Sequence, residues 1–181
     1  PILEGSPLIQ AIIRTVGFGE MRFELFPGKA PLTVASFADT ANSSFYDGLE
    51  WCRVVRGYVI QAGSPDNDIM TDSDFHLKGE FSENGVNTGL DHRRGAISMA
   101  RDAGYDTAGT QFFIVHQDAH KLDGRYAAFG YMVSGYEVLD RIAAVETNGT
   151  EHWNHPLISP VIESIRVTTA GESLPQVYRL P

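Results

Sequence analysis

The stretch WCRVVRGYVIQAG at residues 51–63 sets two short apolar runs, Arg53–Val55 and Tyr58–Gln61, around a turn that contains Gly57. Glycine adopts the backbone that a tight turn demands without steric cost, so the two runs read as a hairpin that brings Arg53 towards Gln61. A second stretch, GTQFFIVHQ at 109–117, reads as another strand. Alternation puts Gln111 and Phe113 on one face and Phe112 with Ile114 on the other. Phe112 is therefore expected in the core, and Phe113 is placed to floor an apolar pocket beside the Gln111 amide. Plainer readings stand beside these. Arg53 is a permanently charged donor fork whose ordinary use is a structural salt bridge, and two adjacent phenylalanines can fill the two sides of a covered sheet.

Outward from these segments the chain is mostly short strands. Leu8–Thr15 and Glu20–Phe26 flank Gly17 and Gly19 and predict a hairpin, with Met21, Phe23 and Leu25 sharing one face. Further strands are expected over Ala96–Ala100, Thr110–Val115, Ala127–Val133 and Ser159–Val167. Pro31, an early-turn residue, introduces a helix over Thr33–Asn42. The stripe Val138, Leu139, Ile142 and Ala143 predicts a second helix over Tyr136–Ala144. Ser64–Asn87 reads as a long surface loop with a short Glu80-Phe81 core, and Ala170–Pro181 as a peripheral tail. Strands without regular strand–helix alternation argue against a parallel doubly wound sheet. A closed antiparallel barrel buries many short apolar faces and leaves no edge exposed. The 181 residues, 43% of them hydrophobic, fit a single domain with its core at about 10–167.

Composition excludes several function classes. A net charge of −9 opposes a nucleic-acid partner, and the basic spots RVVR and HRR are too short to define a phosphate-binding face. Cys52 is the sole cysteine, so no internal disulfide is possible, and a buried small side chain is its simplest role. No apolar run approaches the roughly 18 residues of a membrane span, and no signal-like segment opens the sequence. These features lead to the expectation of a cytoplasmic protein with no membrane partner. His116 and His120 have helical spacing but follow a strand-like run, without a metalloprotease HEXXH pattern. In HWNH at 152–155, packing of Trp153 over the barrel end accounts for the segment. No serine sits in a nucleophile elbow, and DNDIMTDSD lacks the order of a calcium loop. No cofactor or metal is expected.

In combination, WCRVVRGYVIQAG, SMA at 98–100, GTQFFIVHQ and LDG at 122–124 resemble the cyclophilin family of peptidyl-prolyl isomerases. The resemblance spans about Gln10–Val167. It implies a mainly-β fold, a closed eight-stranded antiparallel barrel with two covering helices, acting without a cofactor on proline-containing peptides and protein chains during folding. It also implies that Arg53 is the principal catalytic residue, with Gln61 and Phe113 beside it. Tyr58, Val59, Ala100, Arg101, Gln111, Leu122 and Tyr126 would bind substrate. Val59 stands where many members have methionine, and Lys121 where the best-known members have a tryptophan that contacts cyclosporin, which implies weak cyclosporin binding. ARDAGYDTAGTQFF carries one residue more than the common eukaryotic pattern and looks bacterial. A monomer is the default. A noncatalytic proline-peptide module on the same barrel is the alternative, and a purely structural protein the third reading.

Overall fold

Residues 9–181 are described by the computed structural model, and every strand pairing among them is antiparallel. The strands are β1 (Gln10–Thr15), β2 (Gly19–Leu25), β3 (Arg53–Val55), β4 (Val59–Ala62), β5 (Ala96–Met99), β6 (Phe112–Val115), β7 (Ala128–Ser134) and β8 (Ile162–Thr168). Two helices accompany them, α1 (Pro31–Asn42) and α2 (Tyr136–Ala143). The order across the sheet is β3-β4-β6-β5-β7-β2-β1-β8. The expected first hairpin is present, with Ile12 opposite Arg22, and Met21, Phe23 and Leu25 share the buried face. Leu8, the first residue of the predicted strand, lies outside the described residues.

The expectation of a closed barrel is wrong. The sheet is an open half-barrel whose edges, β3 and β8, share no ladder. Near the gap the chain makes one isolated bridge, Glu50 to Val161, with Trp51 N–H donating to the Pro160 carbonyl at 2.9 Å. The reason is local. β3 has three residues, and its outward N–H, that of Val54, donates to the carbonyl of Asn154 at 3.0 Å. A loop thus covers the edge that β8 would need for closure, another way of protecting an exposed strand.

The core lies between the sheet and the helices. Phe37 of α1 meets Phe112 edge-on at 5.5 Å and Phe129 at 5.0 Å, and all three are buried. Truncating such a side chain to alanine costs about 3–5 kcal/mol. The stripe predicted for α2 is the buried face, formed by Val138, Leu139, Ile142 and Ala143. α1 begins at Pro31, earlier than predicted, and Ala30 before it supplies no side-chain cap. Instead Glu80, from the long loop, accepts from Thr33 N–H at 2.6 Å and from Thr33 Oγ1 at 2.7 Å. A carboxylate there satisfies an orphan donor and faces the positive end of the helix. The C-terminal tail is pinned to the same region: Leu180 exchanges two backbone bonds with His76, and Arg179 bonds Asp39 at 2.9 Å. No helix among the described residues is long and apolar enough to cross a membrane.

Candidate active site

The β3–β4–β6 ladder sets Arg53 opposite Gln61 and Gln61 opposite Phe113. From that register a directed chain of hydrogen bonds follows. Arg53 Nη1 donates to Gln61 Oε1 at 3.2 Å, and Gln61 Nε2 donates to Gln111 Oε1 at 2.9 Å. Gln111 Nε2 in turn donates to the carbonyls of Ile69 and Thr71 at 3.1 and 3.2 Å. Because those carbonyls only accept, both amide orientations are fixed, and Gln61 turns its oxygen towards the guanidinium. Arg53 has no carboxylate partner among the described residues, and its buried Nε has no hydrogen-bond partner there at all. The salt-bridge reading of this arginine therefore fails.

Arg53 and Gln61 form one side of a cleft of about 230 Å³. Val59, Phe113 and Leu122 supply apolar surface to it, and Tyr58, Ala100, Arg101 and Tyr126 complete the expected lining. Gln111 does not line this cleft. It faces an adjoining polar cavity shared with Gln61, Ala100 and Arg101. Tyr126 stands edge-on to Phe113 at 5.8 Å. Burial pushes the Tyr58 phenol up, and Lys121 holds its ammonium 4.3 Å from the centre of that ring. Arg101 commits its guanidinium to the carbonyl of Arg125, at 2.9 and 2.7 Å, and holds it 4.7 Å from the centre of the Tyr126 ring.

Buried groups hold the lining in place. His92 lies parallel to Phe113 with ring centres 5.9 Å apart. Its Nδ1 donates to Asp123 Oδ1 at 3.0 Å, which leaves Nε2 to accept from Ser98 Oγ at 2.9 Å. Burial drives its basicity down despite the carboxylate. The Asp123 carboxyl is raised by burial but falls below its usual range on balance, through bonds from the His92 amide, His120 and the His92 ring. Behind the β3–β4 turn, His116 Nδ1 accepts from Gly57 N–H at 2.8 Å, and Nε2 meets Asp140 at 3.0 Å. Gly57 has φ +80°, where glycine alone is unstrained.

Two residues of the cleft were not anticipated, Ile69 and Trp153. Ile69 sits in a polar loop with no periodic signal. The segment that carries Trp153 is tied to a strand about a hundred residues earlier in the chain, through the bond from Val54 N–H to the Asn154 carbonyl. Among the described residues no group of three or more His, Cys, Asp or Glu side chains is placed to hold a metal ion. What the arrangement offers is a fixed cation beside an apolar floor, with no nucleophile between them.

Comparison with known proteins points the same way. A family model described as cyclophilin type peptidyl-prolyl cis-trans isomerase matches residues 11–167. Peptidyl-prolyl cis-trans isomerase B of Bacillus subtilis is 44% identical over 118 residues, 65% of this chain and 79% of that protein. Peptidyl-prolyl cis-trans isomerase A of Dickeya dadantii is 35% identical over 162 residues, 86% of this chain and 83% of its own. A cyclophilin type isomerase of Cryptosporidium parvum, crystallised in the presence of the dipeptide Ala-Pro, superposes with a TM-score of 0.79 at 26% identity. That match covers 88% of this chain and 98% of the other.

Proposed function

The chain belongs to the cyclophilin-type peptidyl-prolyl cis-trans isomerase family, and from that premise we propose that Arg53 is the group by which it accelerates rotation about X-Pro bonds. The bond resists rotation because conjugation gives it partial double-bond character, with a barrier of roughly 18–20 kcal/mol. At the top of that barrier the nitrogen is pyramidal and carries a localised lone pair. A donor aimed at that nitrogen stabilises the twisted amide and does little for either planar isomer, which is the differential binding that catalysis requires.

The observation that carries this reading is the state of Arg53. Its charge is uncompensated by any carboxylate among the described residues, its orientation is set by Gln61, and its buried Nε is unpartnered. Phe113, Val59 and Leu122 give the cleft its apolar surface and would hold the proline ring, with Tyr58 and Tyr126 beside them. Gln61, Ala100 and Arg101 would hold the flanking chain, with Gln111 orienting Gln61 from behind. The family supports proline-containing peptides and protein chains as substrates, and folding as the setting. We further read the chain as one domain acting as a monomer in the cytoplasm. Cys52, the sole cysteine, is free and buried, which suits a reducing compartment. Lys121 at the rim supports weak cyclosporin binding.

The test is exchange between cis and trans isomers of an Ala-Pro peptide by NMR, with the wild type and with Arg53→Ala. Acceleration that falls about 10²-fold or more in a folded variant that still binds peptide is the expected result. Equal loss of binding and turnover would point to a damaged groove. Peptide binding by the wild type without turnover would leave a noncatalytic proline-peptide module.

A further inference from the structure

The two tryptophans of this chain are in opposite situations. Trp51 is fully buried against Phe112 and donates from Nε1 to Thr15 Oγ1 at 3.0 Å. Trp153 is 58% exposed and lines the same cleft as Arg53, Val59 and Phe113. A large apolar side chain left in water at the rim of a groove is informative when the fold spends interactions to keep it there.

The fold does so here. Trp153 follows a short turn, Thr150–His152, in left-handed backbone at φ 61° and ψ 21°, a region that bulky residues rarely enter. Such a conformation persists where its surroundings over-determine it. The next two residues are bonded to the chain on both sides of Arg53. The carbonyl of Asn154 accepts from Val54 N–H at 3.0 Å, and His155 Nδ1 bonds the carbonyl of Cys52 at 2.9 Å. The turn is also closed on itself, with Asn154 N–H donating to Gly149 at 2.9 Å and Asn148 N–H to His155 at 2.9 Å. The backbone that carries Trp153 is thus held in fixed register with the arginine, and more than half of that residue's surface stays exposed.

We infer that Trp153 is a specificity-determining residue of the groove, an aromatic platform that stacks against an apolar or aromatic side chain on the residue next to the proline. The inference rests on the isomerase reading above and adds to it the chemical class of the preferred neighbour. Its occupant is the substrate itself, because the platform is continuous with the cleft that takes the proline. An indole face favours flat or apolar side chains, and one aromatic contact changes affinity roughly three- to tenfold.

The experiment uses three peptides, Ala-Ala-Pro-Ala, Ala-Phe-Pro-Ala and Ala-Ala-Pro-Phe, with the wild type, Trp153→Ala and Trp153→Phe. Isomerisation is measured for each by NMR exchange. Because Trp51 is buried, the emission that acrylamide quenches reports on Trp153. The expected result is that at least one phenylalanine peptide is favoured roughly three- to tenfold over the alanine reference and shields that emission. Trp153→Ala abolishes the preference, lowering turnover of the favoured phenylalanine peptide roughly three- to tenfold more than that of the reference peptide, while Trp153→Phe restores most of it. A preference that survives Trp153→Ala, a uniform loss across all three peptides, or emission that bound peptide does not shield would overturn the inference. Failure of the wild type to accelerate any of the three would instead overturn the isomerase reading.

Discussion

His92 lies beneath Phe113, ring against ring, with centres 5.9 Å apart and planes within 20°. The same histidine receives the Ala119 amide on its carbonyl and holds Asp123 with both its backbone N–H and Nδ1. It therefore ties the floor of the cleft to the short turn His120–Leu122 that presents Leu122.

Burial keeps His92 neutral in the fold by lowering its pKa below the ordinary 6.5. As pH falls from about 6.5 towards that lowered value, the unfolded chain binds a proton that the folded chain refuses, so stability declines with acidity across that window. His76 and His120 are shifted upward by Asp72 and Asp123 and act in the opposite sense, but both pairs are solvent-screened. His92→Gln is expected to lower stability by about 1–3 kcal/mol at neutral pH. It should also flatten the decline between pH 7.5 and 5.5. Urea unfolding at the two pH values checks this; a variant that loses as much stability on acidification as the wild type would refute it.

Gln111 stands behind the arginine at one remove, and the structure separates its role from that of the cleft wall. Gln111→Leu removes the acceptor that orients Gln61 and leaves the apolar floor intact. Turnover of a bound Ala-Pro peptide should fall by about tenfold, the effect of a lost hydrogen bond of about 1 kcal/mol or slightly more. Affinity should move much less. A fall in affinity with turnover unchanged would place Gln111 in binding rather than in aiming Arg53.

Glu80 caps α1 from far along the chain, and its carboxylate is buried with Thr33 as partner. Glu80→Ala leaves the helix N-terminus uncapped and should cost about 0.5–2 kcal/mol. For a domain of this size that corresponds to a fall in Tm of roughly 2–4 °C per kcal/mol. An unchanged melting curve would show that solvent replaces the cap without loss.

These relationships also show what the sequence made legible. The split between Phe112 in the core and Phe113 at the cleft follows from period-two alternation, and the buried face of α2 from its stripe. The approach of Arg53 to Gln61 follows from a turn glycine between two apolar runs. All three are local patterns. The open edge, the cap on α1 and the place of Trp153 are not local: each depends on a pairing between segments distant in sequence, Val54 with Asn154, Thr33 with Glu80, Cys52 with His155. A polar loop residue carries no periodic mark of the backbone group it will meet. Barrel closure is illegible for the same reason, because apolar alternation records which face of a strand is buried and says nothing of what lies along its edge.

His116 provides a last test, because its two ring nitrogens serve different partners. Nδ1 faces a backbone N–H, that of Gly57, and so must be the unprotonated acceptor, while Nε2 carries the hydrogen and donates to Asp140. The first contact fixes the turn between Arg53 and Tyr58; the second joins that turn to α2, where Arg94 also bonds Asp140 and holds its carboxyl below the usual range. Asparagine places its oxygen near the position of Nδ1, and glutamine places its amide nitrogen near that of Nε2. His116→Asn should therefore keep the turn and most of the activity. His116→Gln should keep the tie to Asp140 and lose about three- to tenfold in turnover, the scale of one hydrogen bond. Equal activity of the two variants, or the reverse order, would mean that the Gly57 contact does not govern the placement of Arg53.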